Sequence, residues 1–207
     1  MMSVDISDSL FRAIEAGTLG HQYCGVSCIK NPIDLMILGR LLWDVKPRTI
    51  IEVGSWAGGS ALWMRDQMRS YGVDCVVRSV DVKVPSLRDQ ENLHFYLGDG
   101  RDLGATFSDE FMGQCPHPLF VIDDADHQPE TTVAVLDFFD RHSRPGEYVV
   151  VEDGDADKYY PGTYRGGPLA GVRSFLERRG GDYEIDRRYC DMFGWTGSPD
   201  GYIRRVR

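Results

Sequence analysis

Apolar positions along this chain change period several times, and each change marks an element. Ile50, Ile51 and Val53 form a short β-branched run, the composition of a strand buried on both faces. It stops at Gly54-Ser55-Trp56-Ala57-Gly58-Gly59, and Ser60 to Ser70 then reads as a helix. Upstream, Ile6, Leu10, Phe11 and Ile14 lie on one side of a helix predicted over Val4 to Ala16. Gly17 to Lys30 shows no period and reads as irregular. Asn31-Pro32 is a helix start, an Asn cap with proline in the first turn. The stripe Ile33, Ile37, Leu38, Leu41, Leu42 and Val45 carries that helix to a stop before Pro47.

Further along, strands and helices alternate. Val73 to Val82, Leu93 to Leu97, Pro118 to Ile122 and Glu147 to Val151 read as four more strands. Phe107 to Met112 is a weak helix. A stronger one opens at Pro129, with Val133, Leu136 and Phe139 on its core face, and stops at Pro145-Gly146. Asp153 to Pro168 is rich in Gly, Asp, Tyr and Pro and has no period, so a long loop of functional type is expected. Leu169 to Arg179 is helical. Tyr183 to Tyr189 and Gly201 to Val206 read as two last strands with no helix between them, for which antiparallel pairing is the economical choice. The whole predicts one α/β domain over residues 1–207: a doubly wound, Rossmann-like, mostly parallel seven-stranded sheet closed by a C-terminal antiparallel hairpin. Residues 1–30 would be an arm free for oligomer contact, and 153–168 a substrate loop.

Composition narrows the class. The formal charge of −9 over 207 residues argues against nucleic acid or an anionic membrane as partner. Cys24, Cys28, Cys75, Cys115 and Cys190 make an odd count with no Cys-x-x-Cys and no zinc spacing, which suits reduced thiols. The N-terminus lacks an apolar leader core, and no apolar run approaches the ~20 residues of a membrane span. A soluble, cytoplasmic protein is expected.

Candidate chemistry gathers at one edge. A strand, a glycine turn and a helix N-terminus make a nucleotide-sized corner with free amides. The spacing Glu52-x-Gly54-x-x-x-Gly58-Gly59 has neither the dinucleotide pattern nor a phosphate-loop lysine. Asp81 ends the next strand, where an acid can accept hydrogen bonds from ribose hydroxyls. Asp99, Asp124 and Glu152-Asp153 end the strands that follow. Such crowded carboxylates need a positive partner: the sulfonium and ammonium of S-adenosylmethionine, or a hard divalent metal such as Mg²⁺.

The glycine turn is similar to the first motif of the class I S-adenosylmethionine methyltransferases. Lys30-Asn31-Pro32, Glu52-x-Gly54-x-x-x-Gly58-Gly59-Ser60, Asp124-x-x-His127 and Glu152-Asp153-Gly154 extend that likeness. With the closing Ser198-Pro199-Asp200-Gly201-Tyr202-Ile203-Arg204-Arg205, the chain resembles the cephalosporin hydroxylase family over roughly residues 24 to 207. That family is close to the macrolide-sugar O-methyltransferases. The resemblance implies a class I methyltransferase fold and transfer of a methyl group from S-adenosylmethionine, with Mg²⁺, to a hydroxyl of a sugar or polyol-like small molecule. It implies Asp124, Glu152 and Asp153 as metal ligands and His127 as catalytic base. It places Glu52, Gly54, Ser60, Asp81 and Asp99 around the cofactor, with Ser55 and Gly58 in the turn under its methionine end and Asp124 beside it. Family tendency also implies a homo-oligomer. The hydroxylase label has no support, because a non-haem iron site wants two histidines and a carboxylate, and no His-x-Asp/Glu occurs. A catechol-type acceptor, a metal-dependent hydrolase or oxygenase, and a non-catalytic subunit assisting an oxidoreductase remain alternatives.

Overall fold

A computed structural model describes residues 5–207. Seven strands form one sheet: β3 (Thr49–Val53), β4 (Val76–Asp81), β5 (Leu93–Leu97), β6 (Leu119–Asp123), β7 (Tyr148–Val151), β8 (Tyr183–Ile185) and β9 (Tyr202–Arg205). Their order is β5-β4-β3-β6-β7-β9-β8. The first five are parallel, and β9 runs antiparallel to both β7 and β8. The expected doubly wound sheet with its antiparallel end is therefore present.

All five residues of β3 are buried. Successive side chains leave a strand on opposite faces, so Ile50 joins one core layer and Ile51 and Val53 the other. The first layer is closed by α2 (Pro32–Val45) and α3 (Gly59–Ser70), through Ile37, Leu41, Leu62 and Met64. The second is closed by α6 (Pro129–Asp140) and α8 (Gly167–Arg179), through Val135, Leu136, Phe139 and Phe175. Strand order reverses between β3 and β6, which opens a crevice beyond their carboxyl ends.

Differences from the expected elements have local causes. The N-terminal helix, α1, runs Asp8–Gly20, with Ser7 as its cap accepting from the Leu10 amide; Val4 lies outside the described residues. Residues expected to be irregular contain a two-residue hairpin, β1 (Gln22–Tyr23) with β2 (Val26–Ser27), too short to show a period. The weak helix at 107–112 is replaced by a 3₁₀ turn (Gly100–Asp102), α4 (Leu103–Thr106) and α5 (Asp109–Gln114). Phe107 stands buried between the last two, and Ser108 caps α5. The core face of α6 is formed by Val135, Leu136, Phe138 and Phe139, while Val133 is half-buried beside it. The loop after β7 holds one helical turn, α7 (Ala156–Tyr159). The expected strand to Tyr189 stops at Ile185, because Asp186 caps a further turn, α9 (Arg187–Cys190), whose amide at Arg188 it accepts. A helix thus does separate the last two strands, although they still pair as expected, Tyr183 opposite Arg205. Among the described residues no helix is long and apolar enough to cross a membrane.

Candidate active site

The crevice beyond β3 begins at Gly54. Its φ is +103°, and a Cβ there would lie 1.9 Å from the Asp124 carbonyl oxygen, so only glycine lets the turn pass under the β6 loop. Gly59 plays the same part on the other side, where a Cβ would meet the Ser27 carbonyl oxygen at 2.2 Å. The turn is held by acids. Asp81 Oδ2 accepts from the Ser55 and Trp56 amides at 2.8 and 2.9 Å, and Oδ1 accepts from the Lys83 amide at 3.1 Å. Glu52, 0% exposed, accepts from Ser60 Oγ and Ser79 Oγ, each at 2.5 Å. Burial pushes its pKa up to about 7, against the opposing pull of Lys30 and the two hydroxyls.

A cavity of about 340 Å³ opens above this turn, lined by Gly54, Trp56, Asp81, Asp99, Asp124 and His127 among others. Of the eight residues expected around a cofactor, Gly54, Asp81, Asp99 and Asp124 are on its wall. Glu52, Ser55, Gly58 and Ser60 are buried and absent from it. Glu52 accepts from Ser60 Oγ under the turn, and Ser55 Oγ meets Ser79 Oγ at 2.6 Å. Asp99 caps the 3₁₀ turn, accepting from the Arg101 amide at 2.9 Å. Trp56 is 71% exposed at the cavity wall.

A second cavity, also about 340 Å³, adjoins the first through Ile29, His127 and Asp153. Its walls are apolar and aromatic: Phe11, Ile14 and Leu19 from α1, then Tyr160, Tyr164 and Trp195. Its polar end carries Lys30, Glu152, Asp153 and Asp155. Asp155, pressed by burial and by its neighbours Asp153 and Asp34, has its pKa pushed up to about 8.

Where the cavities meet, Asp124, His127 and Asp153 bring potential ligand atoms within 4.8 Å of one another. His127 Nε2 lies 3.6 Å from Asp153 Oδ2, and Tyr164 packs edge-on against the imidazole. Both His127 (φ 56°) and Asp153 (φ 52°) hold left-handed backbone, as does Trp56 (φ 46°). Strain of this kind persists where surrounding structure imposes it, and it concentrates at functional sites. The Asp153 carboxyl sits between the cavities; burial and then the negative Asp124 push its pKa up to about 6.

Glu152 faces another way. Its Oε2 accepts from Lys30 Nζ, which also donates to Asp124 Oδ2 at 2.5 Å. Lys30 is buried, and though burial alone would lower its pKa, the carboxylates of Asp124, Glu152 and Glu52 outweigh that and keep it a cation. Glu152 Oε1 is buried with no partner. An orphaned buried carboxylate oxygen beside two further acids and a histidine is a donor set that fits a hard divalent ion. Of the neighbouring acids, Asp126 accepts from Arg101 Nη2 at 2.6 Å, and Asp123 is buried below with its Oδ2 also unpartnered and its pKa pushed up to about 6. Lys30 stood in a motif of the sequence reading, yet nothing in a lone buried lysine ahead of a helix cap signals where its ammonium reaches.

The family model described as rhamnosyl O-methyltransferase/CmcI matches residues 18–206. The chain belongs to that family. The class expected from the sequence, an S-adenosylmethionine-dependent O-methyltransferase, is the class of this family. Among relatives of the rhamnosyl O-methyltransferase/CmcI family, the rhamnosyl O-methyltransferase of Mycobacterium tuberculosis is 27% identical over 190 residues, 88% of this chain and 77% of that protein. The Mycobacterium leprae protein of that name is 27% identical over 189 residues, 88% and 82% of the two chains. A solved CmcI structure with Mg and SAM superposes with a TM-score of 0.74 at 28% identity, over 91% of this chain and 78% of that one.

Proposed function

We propose that this protein methylates a hydroxyl of a sugar-like acceptor, using S-adenosylmethionine as donor and Mg²⁺ as cofactor. The observation that carries the reading is the junction of two cavities at Asp124, His127 and Asp153. One cavity has the glycine turn and acids suited to a nucleoside, and the other is an aromatic-walled pocket suited to an acceptor. The mycobacterial relatives' name supplies the sugar class. Bound there, S-adenosylmethionine supplies the transferable methyl, and Mg²⁺ polarises and orients the acceptor hydroxyl.

The chain's own residues do the rest. Asp81 and Asp99 present carboxylates to the donor cavity, with Trp56 at its wall. Asp124, Glu152 and Asp153 would hold the metal. His127 would take the hydroxyl proton on Nε2 as the new O–CH₃ bond forms and the S–CH₃ bond breaks, the sulfur keeping the electron pair. Asp153, 3.6 Å from that nitrogen, stabilises the resulting imidazolium. The aromatic walls would hold the acceptor near attack geometry.

The test is transfer of labelled methyl from S-adenosylmethionine to rhamnosides by the purified protein, with a catechol as control acceptor. Turnover should stop on exhaustive chelation and return with Mg²⁺. His127→Ala should bind donor and metal normally yet lose kcat by roughly 10²–10⁴-fold. Full activity without metal, or a His127→Ala enzyme within tenfold of wild type, would remove those assignments. Methylation of the catechol alone would replace the sugar as acceptor.

A further inference from the structure

The proposed metal site already holds a cation of the protein's own. Lys30 has only 4% of its side chain exposed, and its ammonium is bonded to two of the three expected metal ligands, Asp124 and Glu152. It is placed there rigidly. Lys30 immediately precedes Asn31, whose Oδ1 caps α2 by accepting from the Asp34 amide at 2.9 Å. Asn31 Nδ2 in turn donates to Asp34 Oδ2 at 2.7 Å, and Asp34 also accepts from Thr196 Oγ1 at 2.5 Å and the Gly197 amide at 3.2 Å. The backbone carrying Lys30 is therefore anchored, so any exchange of partners falls to its side chain.

Lys30 Nζ bonds Asp124 and Glu152, while Asp153 lies against Asp124 and His127, so more carboxylates meet here than one ammonium binds. A divalent ion would need oxygens from Asp124 and Glu152, the pair Lys30 holds, and two cations on the same carboxylates repel strongly where water is excluded. The ligand atoms that already converge, those of Asp124, His127 and Asp153, omit Glu152, and Glu152 is the acid turned to Lys30.

Resting on the metal reading above, we propose that Lys30 is an internal counter-ion that holds Asp124 and Glu152 together in the metal-free protein and gives them up when a divalent ion enters. Lysine suits the task because it is a compact charge on a flexible stem, with no fork that must be matched on both oxygens. The chain thereby keeps a carboxylate cluster folded before metal arrives, and tunes the metal affinity downward.

The experiment compares wild type with K30M, which keeps the stem and removes the charge. Metal-free melting is followed by circular dichroism, and Mn²⁺ binding by calorimetry. Metal-free K30M should melt several degrees below wild type, and it should bind Mn²⁺ at least tenfold more tightly. A folded K30M that melts as wild type, or binds Mn²⁺ no more tightly, overturns the proposal. Equal Mn²⁺ binding by both proteins removes Lys30 while the metal reading stands; no Mn²⁺ binding by either removes both. Should K30M fail to fold, acetylation of the four lysines in wild type, resolved by mass spectrometry, gives a second measure. Lys30 should be protected without metal and modified faster with Mn²⁺, and an unchanged or slower rate overturns the exchange.

Discussion

At the scale of single residues, the site is built by acids held away from their ordinary behaviour. Glu52 has two tasks, accepting from Ser60 on α3 and from Ser79 on β4, and so pins the glycine turn from below. Its pKa of about 7 lies above the ordinary value near 4.5, so the folded protein binds this proton more tightly than the unfolded chain. Stability from that proton is complete below the unfolded pKa and is lost as pH rises from about 4.5 to about 7, at most by about 3 kcal/mol. Asp123 and Asp153 are shifted in the same direction and add to the slope. Melting temperature should therefore fall between pH 5 and pH 7.5, and Glu52→Gln should make the fall shallower. A variant with the wild-type slope would assign the window to the other acids. The resemblance implies Glu52 beside the donor; the pleat turns its side chain to the face that carries Ile50, beneath the glycine turn.

At the scale of elements, legibility followed burial. The strands β3, β6 and β7 and the helices α2, α3, α6 and α8 were readable because each buries an apolar set with a period. Strand ends were readable for the same reason, which is why Gly54, Asp81, Asp99, Asp124 and Asp153 could be placed at one edge. Short elements such as β1, β2, α7 and α9 have too few residues to show any period, and capping at Asp186 overrode the apparent strand to Tyr189. The second cavity was invisible, because its walls come from α1, the loop after β7 and Trp195, segments far apart in the chain. None of the residues of α1 is buried. It is attached by Phe11 stacked on Tyr159 at 3.5 Å, by Arg12 Nη2 donating to the Tyr159 carbonyl at 3.0 Å, and by Tyr160 donating to Glu15. Removal of residues 1–20 should therefore leave both core layers folded and the donor cavity intact. The acceptor pocket would lose one wall, so the acceptor KM should rise more than tenfold while S-adenosylhomocysteine affinity changes little. An unchanged KM would mean that α1 does not contact the acceptor.

At the scale of the whole molecule, the sheet separates what the two cavities depend on. The donor cavity rests on the ends of β3, β4 and β5, which are parallel; β3 and β4 are paired on both sides, and β5 is the edge strand. The acceptor pocket rests on α1 and on loops packed over that edge. A ligand that binds only the folded state stabilises it by mass action, by about 2.7 kcal/mol at a hundredfold excess over its Kd. For a domain of this size each kcal/mol raises Tm by about 2–4 °C, so S-adenosylhomocysteine at that excess should raise it by roughly 5–10 °C. The same shift should survive deletion of residues 1–20, since every residue named for the donor cavity lies beyond them. The acceptor, by contrast, should stabilise only the intact chain, because Phe11, Ile14 and Leu19 leave its wall with α1. Loss of the S-adenosylhomocysteine shift on deletion would show that the arm supports the donor cavity as well, and that the two halves of the site fold as one unit.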